Sequence, residues 1–135
     1  MDRQAYDRYL AMFNARDYDG ILSHFADRFE LHFAGYVFRT PEEVKRFYAF
    51  LHSYVDEQIS VSRYVSDGET VALEAVVKLT GKRSLEAPDL EAAGYTRLVT
   101  LPAGAVVEIP QFIHYHLKDG KIVKAVCAVL EPPVA

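Results

Sequence analysis

Few side chains in this sequence are placed to do chemistry. Tyr9 shares a helical face with Tyr6 and Phe13, which turns it inward. A phenol held there can donate a hydrogen bond to a ligand oxygen. The plainer alternative is a core tyrosine whose hydroxyl bonds to Tyr48 or to backbone. Glu74 interrupts the run Val71-Ala72-Leu73-Glu74-Ala75-Val76-Val77. Alternation puts it on one face with Ala72 and Val76. In an apolar cavity its charged form is disfavoured, so it becomes a candidate general acid or base. If the register is off by one, Glu74 is instead solvated or paired with a Lys or Arg. His114 and His116 lie two apart and share a strand face. With a third ligand such a pair can hold zinc. Cys127 is the one cysteine. A nucleophilic cysteine needs a base or a helix N-terminus to lower its pKa. Nothing in its own strand provides either, so it reads as a small buried hydrophobe. His24 and His52 are expected on helix surfaces, with no chemistry. Lys82-Arg83 and Glu42-Glu43 read as solvated faces or caps.

The elements that must position these residues follow from periodicity. Tyr6, Tyr9, Leu10 and Phe13 lie at helical spacing, opposite Arg3, Asp7, Arg8 and Asn14. A helix over about Asp2–Arg16 follows. Asp17 is an N-cap candidate for a short second helix carrying Ile21, Leu22 and Phe25. Thr40, Pro41 and Glu43 form the start of a third, as N-cap, first-turn proline and capping box. Its apolar stripe is Val44, Phe47, Tyr48 and Leu51. Phe29–Phe33 alternates and reads as a short strand. After residue 54 the period becomes two. Ile59–Val65 and Thr70–Leu79 read as strands around the turn signal Asp67-Gly68. Gly81–Gly104 has no firm period and reads as irregular, with a strand expected near Thr96–Leu101. Val106–Lys118 and Lys121–Leu130 are strands joined at Asp119-Gly120, a hairpin signal. Glu131-Pro132-Pro133 ends the ordered chain. Helices come first and an antiparallel meander follows, which is α+β organisation. The last strand is nearly apolar on both faces, as expected where helices cover one side of a sheet and a second subunit covers the other.

The bulk properties exclude several classes. The 135 residues suit one domain. We expect it to span 1–131, with 132–135 as a tail. Half the residues are hydrophobic and a quarter are charged, which rules out wholesale disorder. A net charge of −4 argues against a nucleic-acid partner. A single cysteine allows no internal disulfide and no multi-cysteine metal site. No apolar run is long enough to span a membrane, and Met1-Asp2-Arg3-Gln4 leads into no secretory signal. The expectation is a cytoplasmic domain with no membrane partner.

The run Arg8-Tyr9-Leu10-Ala11-Met12-Phe13-Asn14-Ala15-Arg16-Asp17-Tyr18-Asp19-Gly20-Ile21 resembles the nuclear-transport-factor-2-like (NTF2-like) superfamily. So do Phe25-Ala26-Asp27, Lys45-Arg46-Phe47-Tyr48, Ile109-Pro110 and Asp119-Gly120-Lys121-Ile122-Val123. The nearest branches are ketosteroid isomerase and the polyketide-cyclase-like (SnoaL-like) proteins. Residues 81–105 match poorly. The resemblance implies three N-terminal helices packed on a curved, mostly antiparallel sheet that forms a conical apolar cavity. It also implies dimerisation through the outer face of the sheet, in agreement with the two-sided last strand.

Ketosteroid isomerase needs a carboxylate base, with a tyrosine and a protonated acid as oxyanion donors. By the resemblance the oxyanion tyrosine falls on Tyr9 and a supporting tyrosine on Tyr48. The base position falls on Phe33 and the acid position on Ile113. Phe takes no proton and Ile donates none, so steroid isomerase activity is not expected. The polyketide-cyclase pattern on the last strand is missing too, since those positions read Lys124-Ala125-Val126-Cys127. The same alignment puts Glu74 on the cavity face. It turns Ile113 and Tyr115 inward and His114 and His116 outward, which removes the zinc reading.

The expected function is therefore binding of a small apolar or carbonyl-containing molecule. Phe13, Phe33, Tyr48, Ile113, Tyr115 and Cys127 line the cone. Tyr9 and Glu74 are the polar, catalytic candidates for an isomerase-, dehydratase- or cyclase-like proton transfer. No cofactor and no metal is implied, and a homodimer is expected. The rival is a dimeric interaction module whose cone is filled by its own side chains. A cavity of several hundred Å³ favours the ligand site, and a filled one favours the module.

Overall fold

The structure is a computed structural model that describes residues 1–130; Glu131 and the tail expected over 132–135 lie outside the described residues. The first helix, α1 (Arg3–Asn14), starts where the Asp2 side chain accepts a hydrogen bond from the Ala5 amide. Its buried residues are Tyr6, Tyr9 and Phe13, the face expected from spacing. Asp17 caps α2 (Tyr18–Leu22) by accepting from the Gly20 amide. Thr40 Oγ1 accepts from the Glu43 amide at 3.2 Å and opens α3 (Pro41–Tyr54). Val44, Phe47, Leu51 and His52 are the buried residues of α3.

The strands are β1 (Phe25–Phe33), β2 (Tyr36–Phe38), β3 (Val55–Ser66), β4 (Thr70–Gly81), β5 (Val106–Lys118) and β6 (Lys121–Val129). They form one sheet in the order β2-β1-β6-β5-β4-β3. Only β1 and β6 run parallel; every other pair is antiparallel. Register shifts interrupt the β3–β4, β5–β6 and β1–β6 ladders. Such bulges bend strands and add twist, so the sheet curls around α1 and α3. Its concave face carries Val71, Leu73, Ala75 and Val77 from β4, and Ile113, Tyr115 and Leu117 from β5, all buried. Asp119 and Gly120 both have positive φ (52° and 76°), as the two-residue turn between β5 and β6 requires.

The segment between β4 and β5 departs from expectation. It contains a fourth helix, α4 (Ala87–Ala93), started by Glu86, whose amide donates to Asp89 Oδ2 at 2.9 Å. The strand expected near Thr96–Leu101 is a single bridge, Leu85 to Leu101. The short apolar residues there are recruited as anchors: Leu85, Leu90, Tyr95 and Leu101 are all buried. The Tyr95 ring packs on Phe47 of α3 and Tyr36 of β2. The segment is held at its root by backbone hydrogen bonds from Gly81 to the Ala105 carbonyl (2.9 Å) and from Gly104 to the Gly81 carbonyl (2.8 Å), an approach so close that a side chain at Gly81 would meet the Pro102 carbonyl oxygen at 2.2 Å.

Candidate functional site

Inside the cone, α1, α3 and the concave sheet face enclose a cavity of about 40 Å³. That holds about two or three water molecules, far below the several hundred Å³ of an ordinary ligand pocket. Phe13, Phe33, Tyr48, Ile113, Tyr115 and Cys127 all lie on its wall, as does Tyr9. The rings account for the small volume. Tyr6 and Tyr115 hydrogen-bond hydroxyl to hydroxyl at 3.1 Å, and Tyr9 packs against both with ring centroids 5.6 and 5.9 Å apart. Phe13 meets Tyr48 edge-on at 5.3 Å.

Glu74 does not belong to this wall. Its neighbours Leu73 and Ala75 are the buried residues, so Glu74 faces outward with Ala72 and Val76. Its carboxylate sits 3.3 Å from Arg63 Nε on the outer side of the sheet, with 44% of the side chain exposed. The register is one residue from the expected one, because β4 is apolar on both faces and alternation alone does not say which is inside.

The carboxylate that does face the cone is Glu57 of β3. It is 5% exposed and lines the cavity. His52, expected on a helix surface, is 6% exposed and holds it: His52 Nε2 lies 2.8 Å from Glu57 Oε1. The other ring nitrogen, Nδ1, is 2.6 Å from the hydroxyl of Tyr18 on α2. The imidazole stacks on Tyr48 (centroids 5.3 Å, 18° between planes) and on Tyr18 (5.8 Å, 11°). Helical geometry accounts for the stack with Tyr48, since residues four apart in α3 sit on one face. The sequence did carry a signal for Glu57. Val55, Glu57 and Ile59 alternate with Asp56 and Gln58, a half-buried strand pattern starting earlier than the apolar run.

Gln111 of β5 is the second polar residue that sequence reasoning missed. It is 4% exposed and lines the cavity. Its side-chain amide and the Tyr48 hydroxyl hydrogen-bond to no other described side chain. Every fully enclosed side-chain nitrogen and oxygen among the described residues has a partner, so these two groups open onto the cavity. Burial raises the phenol pKa of Tyr48, and the Glu57 charge raises it further. Burial likewise raises Tyr9 and Tyr115. All three phenols therefore stay protonated and able to donate at ordinary pH. Burial and, secondarily, Glu57 push the Cys127 thiol up to about 12, which makes it a poor nucleophile. His114 and His116 are exposed on the outer sheet face. His32 pairs with Glu30 at 3.1 Å. Among the described residues no three His, Cys, Asp or Glu groups are arranged to hold a metal ion, and no helix is long and apolar enough to cross a membrane.

A family model for the SnoaL-like domain matches residues 6–125. The chain belongs to the SnoaL-like family. No curated protein matches it significantly in sequence. Among solved structures, a SnoaL-like polyketide cyclase from Agrobacterium tumefaciens is 19% identical, with a TM-score of 0.67 over 92% of this chain and 87% of that one. An NTF2-like protein of unknown function from Burkholderia pseudomallei is 12% identical, with a TM-score of 0.71 over 93% and 88%. TerC, crystallised with polyporic acid, is 16% identical, with a TM-score of 0.70 over 93% and 88%. At these identities the likeness shows the fold: an α+β SnoaL-like, NTF2-like cone.

Proposed function

We propose that the cone binds a small, largely apolar molecule carrying a carbonyl or comparable oxygen, and that Glu57 moves a proton on it. The reading rests on one observation: Glu57, the Tyr48 hydroxyl and the Gln111 amide converge on one apolar cavity, the last two with no side-chain partner among the described residues. Polar groups that open onto an apolar cavity are what fixes the orientation of a bound molecule. In a proton transfer beside a carbonyl, the carboxylate of Glu57 takes a proton from carbon. The electron pair moves onto the carbonyl oxygen, and the Tyr48 or Tyr9 hydroxyl stabilises the oxyanion. Glu57 then returns the proton at another carbon. Steroid isomerase activity stays outside this proposal, because Phe33 and Ile113 occupy the expected base and acid positions. The co-crystallisation of TerC with polyporic acid supports a small organic molecule as the ligand to try first.

A ligand larger than a few atoms must part the rings to enter, and the second reading begins there. By volume alone, a cavity of about 40 Å³ is on the side of a dimeric interaction module with a filled cone, and the ligand reading stands on the polar groups that face it. Both readings use the outer sheet face. Pro110, Phe112, Ala128 and Leu130 are exposed there beside the half-buried Val76 and Val126, an apolar patch of the kind that marks an interface. We assign it to a second copy of this chain, in the cytoplasm, where the free Cys127 stays reduced. A dimer by equilibrium sedimentation that dissociates in Phe112→Lys supports that assignment, and a monomeric wild type refutes it. Amide spectra recorded with naphthol and cyclohexenone as probes separate the readings. Saturable shifts of the Gln111 side-chain amide at millimolar probe, lost in Gln111→Leu, support the ligand site. A wild type whose Gln111 signals do not move with either probe leaves the filled module.

A further inference from the structure

We propose that Tyr18 and His52 form a proton relay that connects Glu57 in the cavity to solvent through α2, bypassing the funnel. The inference rests on the reading of Glu57 as a proton-transfer group. A base in so small a cavity has a difficulty that ordinary active-site bases lack. In an isomerisation Glu57 returns its proton to the product, but a dehydratase-like step that leaves the proton on Glu57 requires the carboxyl to be reset, and a ligand filling the cavity displaces the water that would do it. The structure holds an alternative path. Glu57 Oε1 is 2.8 Å from His52 Nε2. His52 Nδ1 is 2.6 Å from the Tyr18 hydroxyl. Tyr18 of α2 is half-buried; its hydroxyl also lies 3.5 Å from the Tyr48 carbonyl oxygen, and the relay requires that this hydroxyl exchange with solvent. Both contacts are short enough for direct proton transfer, and both are made by the two nitrogens of one imidazole.

The stacking of His52 on Tyr18 and Tyr48 fixes the ring plane, so neither bond depends on a mobile side chain. The other groups around the pair are accounted for. Arg16, between α1 and α2, donates to the Glu57 backbone carbonyl at 2.6 Å and to the Asp56 carboxylate at 2.9 Å; its charge also faces Tyr18, where it partly offsets the burial and the Glu57 charge that raise that phenol. Tyr48 of α3 and Cys127 of β6 face Glu57 from the cavity side, and burial keeps both protonated. Phe13 of α1 contributes only an edge. Tyr18 and His52 are therefore positioning and relay residues; neither lines the cavity.

The step balances. A buffer acid in solvent gives a proton to the Tyr18 oxygen as Tyr18 passes its own proton to His52 Nδ1. His52 passes its Nε2 proton to Glu57 Oε1. Three O–H or N–H bonds form, three break, and one proton enters the site. The imidazole is left in its other neutral tautomer, and the reverse sequence discharges Glu57. The resting arrangement this requires is a neutral His52 protonated on Nε2, which donates to the carboxylate and accepts from Tyr18.

The test needs no substrate. In ¹⁵N-labelled protein, the tautomer of His52 and the solvent exchange rate of its Nε2 proton are read by nuclear magnetic resonance. Tyr18→Phe keeps the stacked ring and removes only the hydroxyl. Tyr36→Phe removes a hydroxyl outside the relay and serves as the control. We expect the Nε2 tautomer in the wild type, and exchange slowed by about tenfold or more in Tyr18→Phe, which corresponds to about 1.4 kcal/mol in the exchange barrier. The control should leave the rate unchanged. A doubly protonated His52 that holds across neutral pH, or an exchange rate indifferent to Tyr18→Phe, overturns the relay and leaves a structural ion pair. Failure of the naphthol and cyclohexenone probes to bind, with the exchange effect intact, would instead overturn only the ligand reading.

Discussion

At the scale of single residues, the informative comparison is between two glutamates. Glu74 and Glu57 both interrupt apolar alternation, and only one of them faces the cone. Glu74 lies 3.3 Å from Arg63 in a half-exposed pair, and exposed pairs contribute about 0–1 kcal/mol. Glu57 is enclosed with His52, where removing one partner strands the other. We expect Glu57→Leu to destabilise the fold by about 1–3 kcal/mol, because His52 Nε2 loses its acceptor. Glu57→Gln keeps an acceptor oxygen and should cost less than half as much. Glu74→Gln should be nearly silent. Urea denaturation of the three variants checks the order, and a Glu74→Gln loss as large as that of Glu57→Leu would contradict the placement of both. The sequence pointed to Tyr9 and Tyr48 because helical spacing and the family resemblance agree on them, and to Ile113 and Tyr115 through the resemblance and strand alternation. It hid Glu57 and Gln111 because a polar residue in a half-buried strand looks the same whether it faces water or a cavity.

At the scale of elements, the turns and caps were the most legible features, since their residue types carry the geometry directly. Asp17, Thr40 and Asp119-Gly120 stand at the boundaries expected of them. The β1–β2 hairpin was not legible, for a physical reason. Its two-residue turn is Ala34-Gly35, with φ of 52° and 82°, and alanine gives no turn signal. The left-handed conformation costs a non-glycine residue about 1 kcal/mol, and Asn tolerates it better in this turn type. Ala34 is exposed, so nothing else constrains the site. Ala34→Asn should therefore stabilise the protein by about 0.5–1 kcal/mol, seen as a higher urea midpoint at unchanged slope. No gain would mean that the Arg97 bond to the Gly35 carbonyl already holds the turn against its own preference. The helix α4 was hidden differently. Its apolar anchors are few and scattered, and they acquire meaning only once Tyr36, Phe47 and Phe50 supply a surface to dock on.

At the scale of the whole molecule, the otherwise aliphatic and phenylalanine core includes several ionisable rings around the cavity. Burial raises the phenol pKa of Tyr6, Tyr9, Tyr48 and Tyr115 above its ordinary value, and raises the Cys127 thiol to about 12. In the unfolded chain these groups release their protons near pH 10 and pH 8.5 respectively. Above those values the unfolded state holds fewer protons than the folded one, so stability falls as pH rises. The stabilising contribution is complete below about pH 8.5, and each group then removes about 1.4 kcal/mol per pH unit as pH climbs past its unfolded value. By about pH 11 the combined loss is comparable to the whole stability of a small domain, roughly 5–15 kcal/mol. Alkaline unfolding should therefore be cooperative. Tyrosinate absorbance from the buried rings should appear together with the loss of circular dichroism, and ahead of it only for exposed tyrosines. If the buried phenols titrate near pH 10 while the dichroism holds, water reaches the floor of the cone without unfolding. The rings would then part readily, which is the motion a ligand needs to enter and which a permanently filled module lacks.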